Sequence, residues 1–132
     1  MGHSIPAREY SPLTLAFLGD SVYELLVRNY LVSQGNCPVR SLNGRKVKLV
    51  CARAQARALE KLLPYLAGDE MEIVLRGRNA HVHAPRNADI ADYHAATALE
   101  ALFGYLFLED RGPRMGLLFA AAMQEAEEQE GL

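Results

Sequence analysis

The sequence predicts an all-α domain, on three observations. Apolar residues recur at steps of three and four along several long stretches, the spacing of one helix face. No run alternates apolar and polar residues as a half-buried strand does. Short clusters of Gly, Pro and Asn punctuate the periodic stretches, so the helices are expected to follow one another through short turns.

Taken in order, Ser11 followed by Pro12 reads as an N-cap with proline at the first helical position. The helix it opens is expected to run to about Val32, before Gly35 and Pro38. A second long helix is predicted from about Asn43 to Leu63. Val47, Val50, Cys51, Ala54, Ala58 and Leu62 repeat there at helical spacing, with Lys46, Arg53, Arg57 and Glu60 on a polar flank. Pro64 and Gly68 end it. Asp69 to Arg76 predicts a short helix whose first-turn acids suit the helix dipole, and residues 77–86 read as an exposed loop. A further helix should start near Asn87 or Ala88 and reach about Glu109. The last should begin at Pro113, turn Met115, Leu118, Phe119 and Ala122 inward, and run into an acidic tail over about 124–132.

With 132 residues, half of them hydrophobic and 23% charged, the chain is expected to form one domain, residues 1–132, around a single core. No apolar run approaches the roughly 18 residues of a membrane span. A signal peptide's charged and apolar blocks are also missing. Cys37 and Cys51 lack metal-ligand spacing, so free thiols and a cytoplasmic setting are expected rather than a disulfide framework.

The formal net charge of −2 conceals an uneven distribution. Residues 40–57 carry Arg40, Arg45, Lys46, Lys48, Arg53 and Arg57 without an acid, and residues 76–86 carry Arg76, Arg78 and Arg86 with His81 and His83. Glu125, Glu127, Glu128 and Glu130 crowd the tail. The remaining body holds 14 lysines and arginines against 12 acids. Such patches suit phosphate contacts, and equally suit solvated helix faces. His81-x-His83 offers two imidazoles to zinc but no third ligand nearby.

Two acids stand apart. Asp20 interrupts an apolar run from Leu13 to Tyr23, and Glu100 is the only formal charge between Tyr93 and Leu108. A lone carboxylate is costly to bury, so each must be protonated, paired or holding a metal. Tyr93, Thr97, Glu100 and Gly104 fall on one helix face, as do Asp20 and Glu24. Bringing the two faces together would join Asp20 and Glu100, with Thr97, Tyr93 and Glu24 at the margin. Mg2+ suits such an oxygen-rich site; the alternative is a core ion pair with Arg28 or another base.

The residues Leu15-Ala16-Phe17-Leu18-Gly19-Asp20-Ser21-Val22-Tyr23-Glu24, then Arg76-Gly77-Arg78-Asn79-Ala80, then Tyr93 to Leu106 with its Ala98-Leu99-Glu100-Ala101-Leu102-Phe103-Gly104 core, resemble the ribonuclease III family. The closest resemblance is to its Mini branch, which consists of the catalytic domain alone, and it covers about residues 11–108. Two positions depart from the longer enzymes: Leu13 and Thr97 stand where those carry further acids.

The resemblance implies a ribonuclease III catalytic-domain-like helical bundle acting as a symmetric homodimer, without an appended double-stranded RNA-binding domain. The implied activity is an Mg2+-dependent endoribonuclease on double-stranded or structured RNA, with Mn2+ as a substitute ion. Asp20 and Glu100 would be the catalytic acids and metal ligands, and the products would carry 5′-phosphate and 3′-hydroxyl ends. Maturation of large-subunit (23S) ribosomal RNA precursor follows as the expected role, with a ribosomal protein as a possible presenter of the substrate. Arg76, Arg78, Asn79, Arg86 and Asn87 are the first candidates for RNA contacts, followed by Lys46, Arg53 and Arg57. A non-catalytic RNA- or ribosome-binding protein of the same fold is the alternative.

Overall fold

A computed structural model describes residues 5–81 and 83–130, with side chains as far as 124. Those residues form six α-helices and two short 3-10 turns, with no strand among them. The helices are α1 (Pro12–Ser33), α2 (Val39–Val50), α3 (Ala52–Leu62), α4 (Gly68–Arg78), α5 (Ile90–Leu108) and α6 (Gly112–Glu130). No described helix is long and apolar enough to cross a membrane.

The start of α1 is the capped one expected. Ser11 Oγ accepts the Thr14 N–H at 3.2 Å, and Pro12 occupies the first turn. Its inward residues Leu15, Tyr23, Val27 and Leu31 are buried, and Tyr23 meets Phe103 and Phe119 edge to face at 5.1 and 5.6 Å.

The single helix expected over 43–63 is two helices. Cys51 is extended (φ −66°, ψ 157°); its N–H closes α2 on the Val47 carbonyl, and its own carbonyl accepts from Gln55 to restart the chain as α3. This break re-phases the pattern. Val47 and Cys51, expected inside, are exposed; Ala58 and Leu62 turn inward as expected, joined there by Gln55 and Leu59. Nothing in the local sequence enforces the break, since residue 51 is neither Gly nor Pro.

At the centre lies α5, whose residues 95–106 are all buried except Glu100. It starts at Ile90, later than expected, because Asp89 takes the N-cap and accepts the Asp92 N–H at 3.0 Å. It crosses α1 backbone on backbone. A Cβ placed on Gly19 would lie 1.6 Å from the Glu100 carbonyl oxygen, and one on Gly104 would lie 2.0 Å from that of Leu15. Gly19 is therefore the helix-packing glycine of this crossing. Among the described residues Glu70 is the most deeply buried acid, at 0% exposure; it accepts from Arg114 at 2.7 and 2.8 Å and from the Ala67 N–H at 2.8 Å.

The crossing yields a controlled prediction. Gly104→Ala should cost more than about 3 kcal/mol, because two packed backbones must separate. Gly44→Ala, on a helix with open space around it, should instead stabilise by roughly 0.5–1 kcal/mol. Urea unfolding of the two variants checks the contrast.

Candidate functional site

The Gly19–Gly104 contact sets the site by register alone. Asp20 follows Gly19 on α1, and Glu100 lies one turn before Gly104 on α5, so the two acids emerge side by side where the helices cross. They open into a cleft of about 390 Å³. Leu13, Ala16 and Phe17 of α1 form one wall and Tyr93, Ala96 and Thr97 of α5 another. Val50, Ala52 and Gln55, at the junction of α2 and α3, close the third side.

Within the cleft the Glu100 carboxyl faces Asp20 and the Gln55 side chain, both of which act on its protonation. Burial, and then the neighbouring Asp20 carboxylate, push the Glu100 carboxyl up to about 8, with a partial opposing effect from Gln55. The two acids thus share a proton at neutral pH. None of the ion pairs among the described residues involves either acid. Arg28, the base proposed for a core ion pair, instead meets Glu24 at 3.1 Å.

This arrangement fits a divalent ion. Two carboxylates without a cation, one of them reluctant to ionise beside the other, are relieved when a hard cation displaces the shared proton. Among the described residues no group of three or more His, Cys, Asp or Glu side chains could hold a metal, so an ion here would rely on two carboxylates and oxygens from elsewhere. His81 and His83, exposed on the loop, therefore form no zinc centre with a third described ligand.

The other expected residues divide. Thr97 lines the cleft, and its hydroxyl donates to the Tyr93 carbonyl at 3.0 Å, so both stand beside Glu100 as anticipated. Glu24 does not line it: its carboxylate pairs with Arg28 and, at 3.7 Å, with Lys46. Arg76 is corrected as an RNA contact, because its guanidinium donates to the carbonyls of Arg8 and Tyr10 at 2.6 and 2.9 Å and ties down the N-terminal segment. Arg53 and Arg57 are exposed on the outer face of α3, while Arg78 and Asn79 end α4, half-buried and exposed in turn. Arg86 and Asn87 lie exposed in the loop, short of the N-terminus of α5. That N-terminus carries Asp89 and Asp92, whose charges oppose an anion. Gln55 was not anticipated at all. Only after the break at Cys51 does it head an inward stripe with Ala58, Leu59 and Leu62.

A ribonuclease III domain model matches residues 13–111. The chain is 46% identical to a protein named Mini-ribonuclease 3 from Symbiobacterium thermophilum over 112 residues, 84% of this chain and 86% of that one. It is 42% identical to another of that name from Desulfitobacterium hafniense over 125 residues, 94% of this chain and 80% of the other. A crystal structure of a Fusobacterium nucleatum protein, 30% identical, superposes with a TM-score of 0.82 over 92% of this chain and 99% of that one.

The shared proton has a thermodynamic consequence. The folded chain keeps it up to about pH 8, whereas the unfolded chain releases it near the usual 4.5. The pair's contribution to stability is therefore greatest below 4.5 and is lost as pH rises through 8. Glu100→Gln should melt above the wild type at alkaline pH, by on the order of 5 °C, with the gap closing toward pH 5. Mg2+ should raise the wild-type Tm and leave the variant's nearly unchanged. Scanning calorimetry across this pH range checks both.

Proposed function

The chain belongs to the ribonuclease III family, in its Mini-ribonuclease 3 branch, and from that premise we propose how this endoribonuclease works and on what. Asp20 and Glu100 hold a divalent cation against a phosphodiester of double-stranded RNA. The observation that carries this reading is the carboxylate pair, proton-shared, unpaired with any base, and facing an open cleft. When bound there, Mg2+ (or Mn2+ in its place) supplies a polarised phosphate oxygen and a water acidic enough to attack near neutral pH.

The chain's own residues do the rest. Asp20 and Glu100 would be the ion's two carboxylate ligands, and Glu100 would release its proton to solvent to serve as one. Thr97 and Tyr93 keep the α5 wall uncharged, so the phosphate meets no further acid on that side. Attack by water on phosphorus with departure of the 3′ oxygen leaves 5′-phosphate and 3′-hydroxyl ends. Arg53, Arg57, Arg78, Asn79, Arg86 and Asn87 are the residues we assign to the RNA backbone, whose duplex form is read by shape and phosphate. Lys46 ranks below them because Glu24 already offsets its charge.

One protomer has one cleft, and a duplex has two strands. We assign the dimer contact to the outer side of α1, where Phe17 is 83% exposed and Leu13, Leu25 and Val32 are exposed on the same side. A face of that composition on a two-fold axis would set two clefts on one duplex. The substrate we assign is a duplex in 23S ribosomal RNA precursor in the bacterial cytoplasm, with a ribosomal protein as a candidate presenter, as the family resemblance implies.

Purified protein should cut long duplex RNA with Mg2+ and not with EDTA. Asp20→Asn and Glu100→Gln should each lower kcat by at least about 10²–10³-fold while binding persists; full cleavage by either variant would refute the assignment. Binding should weaken steeply with salt, and Arg53→Ala with Arg57→Ala should flatten that slope. Phe17→Glu should shift sedimentation from dimer to monomer and reduce cutting of both strands, without loss of helix content by circular dichroism.

A further inference from the structure

Gln55 is one of three buried polar or charged residues in the described core, at 4% exposure, and the other two are accounted for: Glu70 by its arginines and Thr97 by a backbone carbonyl. A buried amide costs free energy unless its hydrogen bonds are made, so an unstructured reason for it is hard to find. Gln55 lines the same cleft as Glu100, and that carboxyl is the ionisable group its amide acts on. The fold reaches this contact through an unforced feature, the extended Cys51 that ends α2 and re-phases α3.

We infer that Gln55 is a positioning residue of the cleavage reaction: its side-chain amide donates to the Glu100 carboxylate and holds it in the rotamer that faces Asp20. The choice of side chain supports this. An amide N–H orients a carboxylate without neutralising it, so Glu100 keeps its full charge for the ion. A lysine or arginine at this point would compete with the cation, and an aliphatic residue would leave Glu100 free to swing toward solvent. Groups that orient a metal-binding carboxylate in this way commonly matter 10- to 100-fold for affinity or rate. Among the described residues no third acid completes the cluster, so the two carboxylates depend all the more on being held.

The inference rests on the proposed reading of Asp20 and Glu100, and the test separates the two. Wild type, Asp20→Asn, Gln55→Met and Gln55→Glu are compared for kcat and KM on long duplex RNA with Mg2+. The RNA-free proteins are also titrated with Mn2+, followed by the EPR signal of the free ion. Gln55→Met matches the glutamine in size and lacks its donor. It should lower kcat about 10- to 100-fold with KM within about twofold, and weaken Mn2+ binding about tenfold. With the ion bound to offset their mutual repulsion, Gln55→Glu presents an ionised acceptor to an acceptor. It should bind Mn2+ at least as tightly as the wild type, through its added charge, yet share the low kcat. Wild-type kcat in either variant overturns the inference, as does a loss expressed only in KM. Should Gln55→Met fail to fold, Gln55→Glu alone decides, because wild-type cleavage with an acceptor at this position excludes an orienting donor. An inactive wild type, or a fully active Asp20→Asn, would instead refute the reading beneath it. An active wild type with a dead Asp20→Asn and an unaffected Gln55→Met sinks only the present inference.

Discussion

The crossing of α1 and α5 at two glycines is the constraint on which the site depends. At Gly19 and Gly104 each helix presents bare backbone to the other's carbonyl, closer than any side chain would allow. That contact fixes the relative register of the helices to within a residue, because a slide of one position would drive a Cβ into a carbonyl oxygen. Asp20 and Glu100 inherit the register. Two like charges repel, and left on flexible segments they would part; here they are held because their backbones are locked on either side of the crossing. Burial first, and the nearby Asp20 second, raise the Glu100 carboxyl, so the strain is met by a proton rather than by a displacement.

Glu70 and Glu100 show how differently one residue type is treated in one core. Glu70 is sealed from solvent and fully answered. Arg114 grips both its oxygens, Arg111 stands at 3.4 Å, and the start of α4 donates a backbone N–H, so its carboxyl is held below the usual range, chiefly by the Arg114 hydrogen bonds. That acid ties α4 to the beginning of α6. Glu100 is less buried and receives no cation, only an amide and another acid. A buried acid with every partner supplied is structural by its surroundings. One whose partners leave it worse off than in water needs a ligand the chain does not contain. The comparison within a single molecule makes Glu100 stand out more clearly than burial alone does.

Much of this was readable from residue order, and what was not has a common cause. Helices α1 and α6 follow their own apolar periodicity, α5 is apolar on nearly every side as a central helix must be, and the pairing of Asp20 with Glu100 followed from two lone charges in greasy helices. The failures are places where distant packing overrides local pattern. Residues 43–63 are periodic throughout, so the break at Cys51 is invisible until α5 demands a different face of α3; Gln55 went unseen with it. Arg76 looked like a solvent-facing base in a basic run, because the carbonyls it binds belong to residues 8 and 10. Glu24 was equally compatible with the cleft and with Arg28, and only the direction of the helix face decides between them. Gly19 could serve a neighbouring helix of either the same chain or another; the partner's identity is a tertiary fact.

A site with only two carboxylates also explains how so small a domain carries it. Each additional acid in the cleft would add a like charge at short range, and the Glu100 shift shows that even the second one cannot ionise freely. Leu13 and Thr97 stand where the resemblance to longer enzymes would place further acids, and both line the cleft as uncharged walls. The metal-free protein thus remains foldable with a single shared proton instead of several. On the proposed reading the cost falls on ion binding: a hard cation that takes six oxygens would find two here, and the remainder would come from water and the phosphate. Affinity for the ion and affinity for RNA then become one linked equilibrium, since each supplies charge that the other needs. Orientation matters more as ligands become fewer, because a misplaced carboxylate among two removes half of the protein's contribution. The neutral Gln55 side chain that α3 brings into the cleft could meet that need without adding to the repulsion.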